Sequence, residues 1–536
     1  MRIPGNLTAP ALMLVALGGT AQSLPIVEKT LSNGMRLVMV ERHDQPTLSL
    51  GWMARVGSAN EGPGITGLAH LFEHMMFKGT RTIGTTDARR DAELNALQDK
   101  VQAGIRTEMS VLREKQRRGE IADMMDPKAR TPRLQQLLGE FDALVKEQRT
   151  LVVKDEMDKI YTQAGGTGLN ASTSQDRTFY ITGLPSNKLE LWMWLESDRL
   201  ANPVFREFYS ERDVILEERR QTLESRPGGL VGEAFNAMTW AASPYHWEVI
   251  GWPSDIAQVT REAANAFFAT YYAPNNITAI LVGDLDPAKT VALAERYFGR
   301  IPANPKGVPE ITTLEPAQPA EQRMLAEVET TPSIQMEFKT VPAVHRDAPA
   351  LQALAGILGG APMFMGRPGA GGMRPPTGRL NKALVLEQKV ATSASAFARG
   401  QKLGGTFTLR ATPVPGTPPS DLEARLVAEV DRVVKEGVTA EELARFQKAS
   451  KVGFYGRLES NAGIRETLSS FLATGTLQDF QDAPRRIEAI TREDVQRVAR
   501  QYLVRNARNV LITTRKGGPP EGMPRRRPGQ PGQEVK

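Results

Sequence analysis

Apolar residues recur along the chain with two periods, one typical of strands and one typical of helices. Short runs rich in apolar residues at 34–41 and 47–56 predict two β-strands joined by a polar turn. The segment 177–182 predicts a further strand, and the apolar run 277–285 predicts another, followed by a helix at 288–298. Strands and helices mixed in this way indicate an α+β fold.

A longer helical pattern interrupts the strands between about residues 88 and 160. Apolar residues recur at helical spacing amid many charges, first from Leu94 to Leu112 and then from Leu134 to Leu151. Residues 119–132 between them contain helix breakers and mixed charge. We therefore predict a helical hairpin inserted into the first domain, which is either a solvated arm or an element that contacts a partner or gates substrate.

The second half of the chain repeats a pattern of the first. Thr260-Arg-Glu262 precedes Tyr271 by the same interval as Thr491-Arg-Glu493 precedes Tyr502, and both lead into apolar strands. This repeat predicts two tandem copies of one α+β domain, at 26–301 and 323–516. The Pro-rich stretch 302–322 is the expected linker, and the Pro/Gly-rich end at 517–536 is expected to be disordered.

Composition narrows the class of protein. The chain has 536 residues, 40% hydrophobic and 24% charged, which is typical of a soluble globular protein with two or more domains. Its net charge of +6 is modest and partly lies near the C-terminus, so no nucleic-acid partner is expected. With no cysteine in the chain, disulfides and thiolate metal ligands are excluded.

The N-terminus has the layout of a secretory signal peptide. Arg2 precedes an apolar run at 9–17, and small residues follow up to Ala21. We predict a signal peptide over residues 1–21 and a periplasmic or secreted protein. The apolar run is too short to span a bilayer and no later segment is longer, so stable membrane insertion is not expected.

Candidate chemistry lies in residues 67–79, where His70, Glu73 and His74 stand in the order His-x-x-Glu-His. Residues four apart lie on one face of a helix, so both imidazoles can bind one ion while Glu73 points toward the same space. A catalytic zinc uses three protein ligands, an open position for water and a carboxylate that accepts the proton of that water. The chain has only 5 His, which makes an accidental pair the weaker interpretation.

This segment resembles the pitrilysin/insulinase family of zinc peptidases, whose motif is the inverse of His-Glu-x-x-His. The similarity continues through residues 77–80, 168–173, 211–218, 272–276 and 283–284. The resemblance implies two tandem homologous α/β sandwich domains, each a mixed or antiparallel sheet packed with helices. It also implies Zn2+ as cofactor and hydrolysis of peptides or extended polypeptide segments, with Glu73 as general base.

The resemblance also implies roles for residues outside the motif. Glu218 would be the third metal ligand and Glu211 a carboxylate that orients the site, although Glu217 is hard to separate from Glu218 by sequence alone. Glu218 lies about twice as far from His74 as is usual in the family, and the predicted hairpin accounts for the difference.

Two further features concern substrate. Asn170 and Ala171 match an edge strand whose backbone pairs with substrate in similar proteins, with a turn as the alternative for Asn170. Phe77 is expected to line a substrate pocket close to the metal, although core packing explains it equally well.

The second domain departs from the family pattern. Its counterpart of the metal-binding helix, at 348–358, contains no His or Glu. Val385 and Thr392 stand where active relatives carry an Arg and a Tyr that hold substrate, just after an unusual Gly/Pro/Met-rich loop at 359–377. We therefore expect the catalytic subunit of a heterodimer, whose homologous partner lacks zinc and carries the Arg/Tyr pair. The alternative is a non-catalytic binding or assembly subunit of the same fold.

Overall fold

The computed structural model describes residues 24–360 and 378–516. The predicted signal peptide at 1–21, residues 361–377 of the Gly/Pro/Met-rich loop and the predicted tail at 517–536 lie outside the described residues. Within the described ranges, no helix is both long and apolar enough to cross a membrane.

The first half of the chain is built on a six-stranded sheet. Its strands are β1 (Ile26–Thr30), β2 (Arg36–Glu41), β3 (Thr47–Ala54), β4 (Thr167–Thr173), β5 (Thr178–Pro185) and β6 (Ile277–Gly283). Their spatial order is β1-β2-β6-β3-β5-β4, and only β2 and β6 pair in parallel. The sheet is therefore mixed, with β4 at one edge.

Ten helices accompany this sheet in the described part of the first half. They are α1 (Leu68–Met75), α2 (Ala88–Arg117), α3 (Pro132–Leu151), α4 (Glu156–Gln163), α5 (Leu189–Ala201), α6 (Phe208–Arg219), α7 (Gly229–Thr239), α8 (Pro253–Gln258), α9 (Arg261–Tyr271) and α10 (Pro287–Tyr297). Helix α6 continues as a π-helical turn over Arg220–Glu224. One face of the sheet buries its apolar side chains against α1, α5 and α9, and burial of this surface drives the packing.

The second half repeats this arrangement. Its strands are β7 (Gln322–Val328), β8 (Ser333–Thr340), β9 (Ala391–Gly400), β10 (Gly405–Pro413) and β11 (Arg508–Arg515). Its helices are α11 (Ala348–Gly359), α12 (Pro419–Glu436), α13 (Ala440–Arg457), α14 (Asn461–Thr474), α15 (Leu477–Glu488) and α16 (Arg492–Tyr502), with a π-helical segment at Asn381–Glu387.

The strand order of the second sheet reveals the duplication. The order β7-β11-β8-β10-β9 matches β2-β6-β3-β5-β4 strand for strand, and in each of these two series the first pair is parallel and the other three are antiparallel. The prediction of an α+β fold with two similarly built halves is confirmed. Strand β7 begins at Gln322, the last residue of the predicted linker.

The two halves share a core. Helices of the second half cover the face of the first sheet that is turned away from α1, and apolar side chains from both halves are buried together there: Val40, Phe179, Val282, Ile464, Leu468 and Leu472. Within this interface the buried Arg465 of α14 donates to Ser49 Oγ of β3 at 2.8 Å. The halves are thus joined by packing as well as by the linker.

The predicted helical hairpin is formed by α2 and α3, and buried polar contacts anchor its base. Asp91 of α2 and Arg206 are each 1% exposed, and Arg206 Nε donates to Asp91 Oδ2 at 2.9 Å. Gln148 of α3 donates to the other oxygen of Asp91 at 2.8 Å. Arg206 also donates to the carbonyl oxygens of Lys78 and Thr80, just after α1. The hairpin is therefore tied to the segment that follows α1.

This anchor makes a testable prediction about stability. Asp91→Ala should lower the free energy of unfolding by about 3 kcal/mol, because it leaves the buried guanidinium of Arg206 without its counter-ion. Urea unfolding followed by circular dichroism measures the change. Asp142→Ala, on the exposed side of α3, is the control and should leave the midpoint unchanged. An equal midpoint for both variants would contradict the anchoring role.

Candidate metal centre

Helix α1 carries three of the candidate residues, and its start is fixed by two local features. Gly67, the residue before the helix, has φ 87°, and a Cβ there would lie 2.5 Å from the Ile250 carbonyl oxygen, so glycine is required. The buried carboxylate of Glu61 accepts hydrogen bonds from the N–H groups of Gly67 (2.8 Å) and Ala69 (2.6 Å). It thereby satisfies free N–H groups at the positive end of the helix.

His70 and His74 lie on the same face of α1, with ring centroids 4.9 Å apart. Glu218 reaches them from α6. The distance from His70 Nε2 to Glu218 Oε1 is 3.7 Å, and that from His74 Nε2 to Glu218 Oε2 is 3.4 Å. One ligand atom from each residue lies within 4.8 Å of the other two, and the structure holds no second such group among its described residues.

The three side chains fit a zinc ion. Two imidazole nitrogens and one carboxylate oxygen are the donor set of several catalytic zinc sites. Burial, with a smaller contribution from the charge of His74, lowers the pKa of His70 to about 4. A neutral imidazole offers the lone pair that a metal needs. The fold therefore brings together the two histidines of the sequence motif and the glutamate that the family resemblance implies as third ligand.

Glu211 supports this arrangement from α6, one face of which carries both Glu211 and Glu218. Its Oε1 lies 3.0 Å from His74 Nδ1, and its Oε2 lies 2.6 Å from Lys78 Nζ. Burial disfavours the charged form of Glu211, but the hydrogen bonds of His74 and Lys78 outweigh it and lower the pKa of the carboxyl group. With Nδ1 occupied in this way, His74 is held with Nε2 toward Glu218, as ligating histidines commonly are.

The structure separates the adjacent glutamates 217 and 218. Glu217 points along the exposed side of α6, where its oxygens accept hydrogen bonds from Arg220 and Gln221. Glu218 faces the two imidazoles.

Glu73 lies on α1 between the two histidines and is partly buried. Burial raises its pKa, while polar groups of Thr173 and the charge of His74 oppose that shift. Thr173 is the last residue of β4, so Glu73 lies between the imidazoles and the edge strand. A carboxylate whose pKa is raised toward neutrality is suited to accept and return a proton.

Asn170 and Ala171 lie within β4 and not in a turn. They pair with Ile181 and Tyr180 of β5, and the strand has no partner on its other side among the described residues. The pairing register shifts between Thr167 and Asn170, where Gly168 has φ 61°. From Asn170 onward, β4 therefore has a regular free edge, and such an edge can pair with an extended peptide.

Phe77 follows α1, borders a cavity and packs against the core, and its expected place in a substrate pocket close to the metal stays a prediction. It lines a cavity of about 380 Å³ together with Val152 and Met157 from the segment that returns from the hairpin. Its ring also packs against the buried guanidinium of Arg199, whose Cζ lies 5.3 Å from the ring centroid. Arg199 donates to the carbonyl oxygen of Met76, so it steadies the end of α1 as well.

Sequence reasoning missed several residues that position this site. Glu61, Lys78, Arg199 and Arg206 act through contacts with α1 or with the segment after it. No periodicity marks them, since their partners lie elsewhere in the chain.

In the second half, the counterpart helix α11 contains no His, Asp or Glu. Val385 lies in the π-helical segment, and Thr392 lies at the start of β9, where its hydroxyl donates to the Thr412 carbonyl at 3.2 Å. Neither residue can supply the charge or the ring of an Arg/Tyr pair.

Comparison with known proteins agrees with the fold. The family model described as Insulinase (Peptidase family M16) matches residues 36–164, and the model described as Peptidase M16 inactive domain matches residues 258–450. The chain belongs to the pitrilysin/insulinase family of two-domain proteins.

Individual relatives extend the similarity over most of the chain. Zinc protease PqqE of Helicobacter pylori is 25% identical over 502 residues, which are 92% of this chain and 94% of that protein. The crystal structure of a protease from Helicobacter pylori superposes with a TM-score of 0.72 at 23% identity, over 92% of this chain and 100% of that chain. The crystal structure of the periplasmic protease PqqL from Escherichia coli superposes with a TM-score of 0.64 at 18% identity, over 92% of this chain but only 48% of that chain.

The geometry predicts which substitutions remove the metal. His70→Ala, His74→Ala and Glu218→Ala should each lower the zinc content of the purified chain at least about tenfold, since each removes one of three protein ligands. Inductively coupled plasma mass spectrometry measures the zinc content. Glu217→Ala is the matched control and should keep the wild-type content; loss of zinc in this variant but not in Glu218→Ala would contradict the assignment.

Proposed function

We propose that the chain is a zinc-dependent endopeptidase that hydrolyses peptides or extended polypeptide segments. The observation that carries this proposal is the convergence of His70, His74 and Glu218 from two helices, with Glu73 beside them. The curated relative from Helicobacter pylori is named a zinc protease, which supports the same chemistry.

His70, His74 and Glu218 would hold the ion. When bound, zinc supplies Lewis acidity, which polarises the scissile carbonyl and favours deprotonation of water. Glu73 accepts the proton of the attacking water and later delivers a proton to the leaving amine, so one carboxyl group serves both proton transfers. Glu211 keeps His74 oriented, and Lys78 forms an ion pair with Glu211.

The substrate is an extended segment because the free edge of β4 binds a peptide through its main chain. Asn170 and Ala171 lie on the free edge of β4, where a peptide adds as a further strand through backbone hydrogen bonds. The cavity beside Phe77 would then receive a substrate side chain. A peptide adds to this edge only in an extended conformation, which an unfolded peptide adopts more readily than a folded domain, so unfolded peptides are favoured.

We further propose that activity requires a homologous partner that carries the missing Arg/Tyr pair. Val385 and Thr392 support this, and so does the length of the Escherichia coli protease, of which this chain matches about half. The same two residues favour the second candidate function, a binding or assembly subunit without catalysis.

We place the protein in the periplasm or outside the cell. The proposal rests on the layout of residues 1–21, and the solved Escherichia coli relative is described as periplasmic.

Removal of the proton acceptor tests the chemistry. Under the conditions in which the wild-type chain cleaves, Glu73→Gln should reduce cleavage of an unstructured fluorogenic peptide at least about a hundredfold, because the amide cannot accept the proton. Zinc content should stay at the wild-type level. Wild-type turnover by this variant would refute Glu73 as the general base.

The requirement for a partner is tested by comparing the mature chain alone with the chain mixed with a homologous Arg/Tyr-bearing subunit. We expect little cleavage by the chain alone and at least about tenfold more with the partner, because the partner would supply groups that stabilise the transition state. Equal activity in both samples would exclude the heterodimer. Full zinc content without cleavage in either sample would favour the binding subunit.

A further inference from the structure

We propose that Asp176 and Tyr245 are positioning residues, through which the metal-free second half of the chain fixes the substrate-pairing strand β4. This inference rests on the proposed function, since it assumes that β4 binds the peptide. It assigns to the second half a part in the site.

The central contact is a buried carboxylate in the turn after β4. Asp176 is 8% exposed, and its Oδ1 accepts a hydrogen bond of 2.7 Å from the Tyr245 hydroxyl. Its Oδ2 accepts from the backbone N–H of Lys402 at 3.1 Å. The N–H of Leu403 donates to the same Tyr245 hydroxyl at 2.9 Å. Lys402 and Leu403 lie between β9 and β10, so the second half closes this small network.

The neighbours of Asp176 in the turn are bonded to the second half as well. Arg399 of β9 donates to Gln175 Oε1 at 2.9 Å. Arg177 pairs with Glu466 of α14 at 2.6 Å. Gln175, Asp176 and Arg177 thus each contact a different part of the second half. The turn is therefore held by several contacts and not by a single one.

The same turn also contacts the segment that leads to the metal-binding helix. The N–H of Ser58 donates to the Ser174 carbonyl at 3.2 Å, and the N–H of Ala59 donates to the Gln175 carbonyl at 2.9 Å. Two residues after Ala59 comes Glu61, which holds the start of α1. The turn therefore links three parts: the second half, strand β4 and the lead into α1.

This arrangement sets where a bound peptide lies relative to the metal ligands. Thr173, the residue just before the turn, is the residue of β4 whose polar groups interact with Glu73. If the turn were released, β4 would lose its fixed end, and a peptide paired with it would be held less tightly. Because strand pairing is the same in the ground state and in the transition state, the loss should appear in KM more than in kcat.

The test compares Asp176→Ala and Tyr245→Phe with Tyr297→Phe. Tyr297 is the matched control because its hydroxyl bonds to Glu190, away from β4. Each full-length chain is assayed under the conditions in which the wild type cleaves, with zinc content measured in parallel. Hydrogen exchange of the β4 amides, followed by mass spectrometry, supplies a readout that does not depend on activity.

We expect Asp176→Ala and Tyr245→Phe to raise KM about tenfold, as expected for the loss of a buried hydrogen bond, with kcat changed less than about threefold and zinc content unchanged. Exchange in 167–173 should accelerate in both variants but not in Tyr297→Phe. Asp176→Asn, which keeps one acceptor oxygen and the shape of the side chain, should fall between wild type and Asp176→Ala.

Wild-type KM and wild-type exchange in Asp176→Ala would overturn the inference. So would a loss of protection throughout the chain together with loss of zinc, because that result would show a general role in stability. A wild-type chain that cleaves nothing under any condition would refute the proposed function, and the exchange measurement would still decide whether Asp176 holds β4.

Discussion

The contact between α1 and α6 is the constraint on which the rest of the site depends, because two candidate ligands come from one helix and the third from the other. Glu211 and Glu218 lie seven residues apart on one face of α6. The hydrogen bond that Glu211 accepts from His74 Nδ1 therefore orients that imidazole and also places Glu218 opposite it. Lys78 completes the link from the segment after α1.

The position of His70, Glu73 and His74 on one helix face could be predicted from sequence because it depends on a single helix. The choice between Glu217 and Glu218 could not, since adjacent residues differ only in direction, and direction depends on how α6 packs against α1. Resemblance to the family supplied Glu218 and Glu211. The residues that hold α1 in place, Glu61 and Arg206, were missed because their partners are backbone groups and Asp91, which are recognisable only after folding.

Much of the fold follows from local signals. The repeated Thr-Arg-Glu has a simple cause, since Thr260 and Thr491 each cap the helix that follows by accepting a backbone hydrogen bond. The hairpin was predicted from helical periodicity, but its anchoring was not, because Asp91 and Arg206 are far apart in sequence. The order of the strands could not be predicted from periodicity either, since it depends on long-range pairing. The edge position of β4 was therefore predicted only from the family resemblance.

The measurement that tests the central claim most directly is X-ray diffraction from crystals of the chain grown with zinc, with anomalous differences recorded on both sides of the zinc absorption edge. The account predicts a single strong zinc peak bounded by Nε2 of His70, Nε2 of His74 and a carboxylate oxygen of Glu218. The absence of a peak at this place, or zinc at full occupancy held by other side chains, would contradict it.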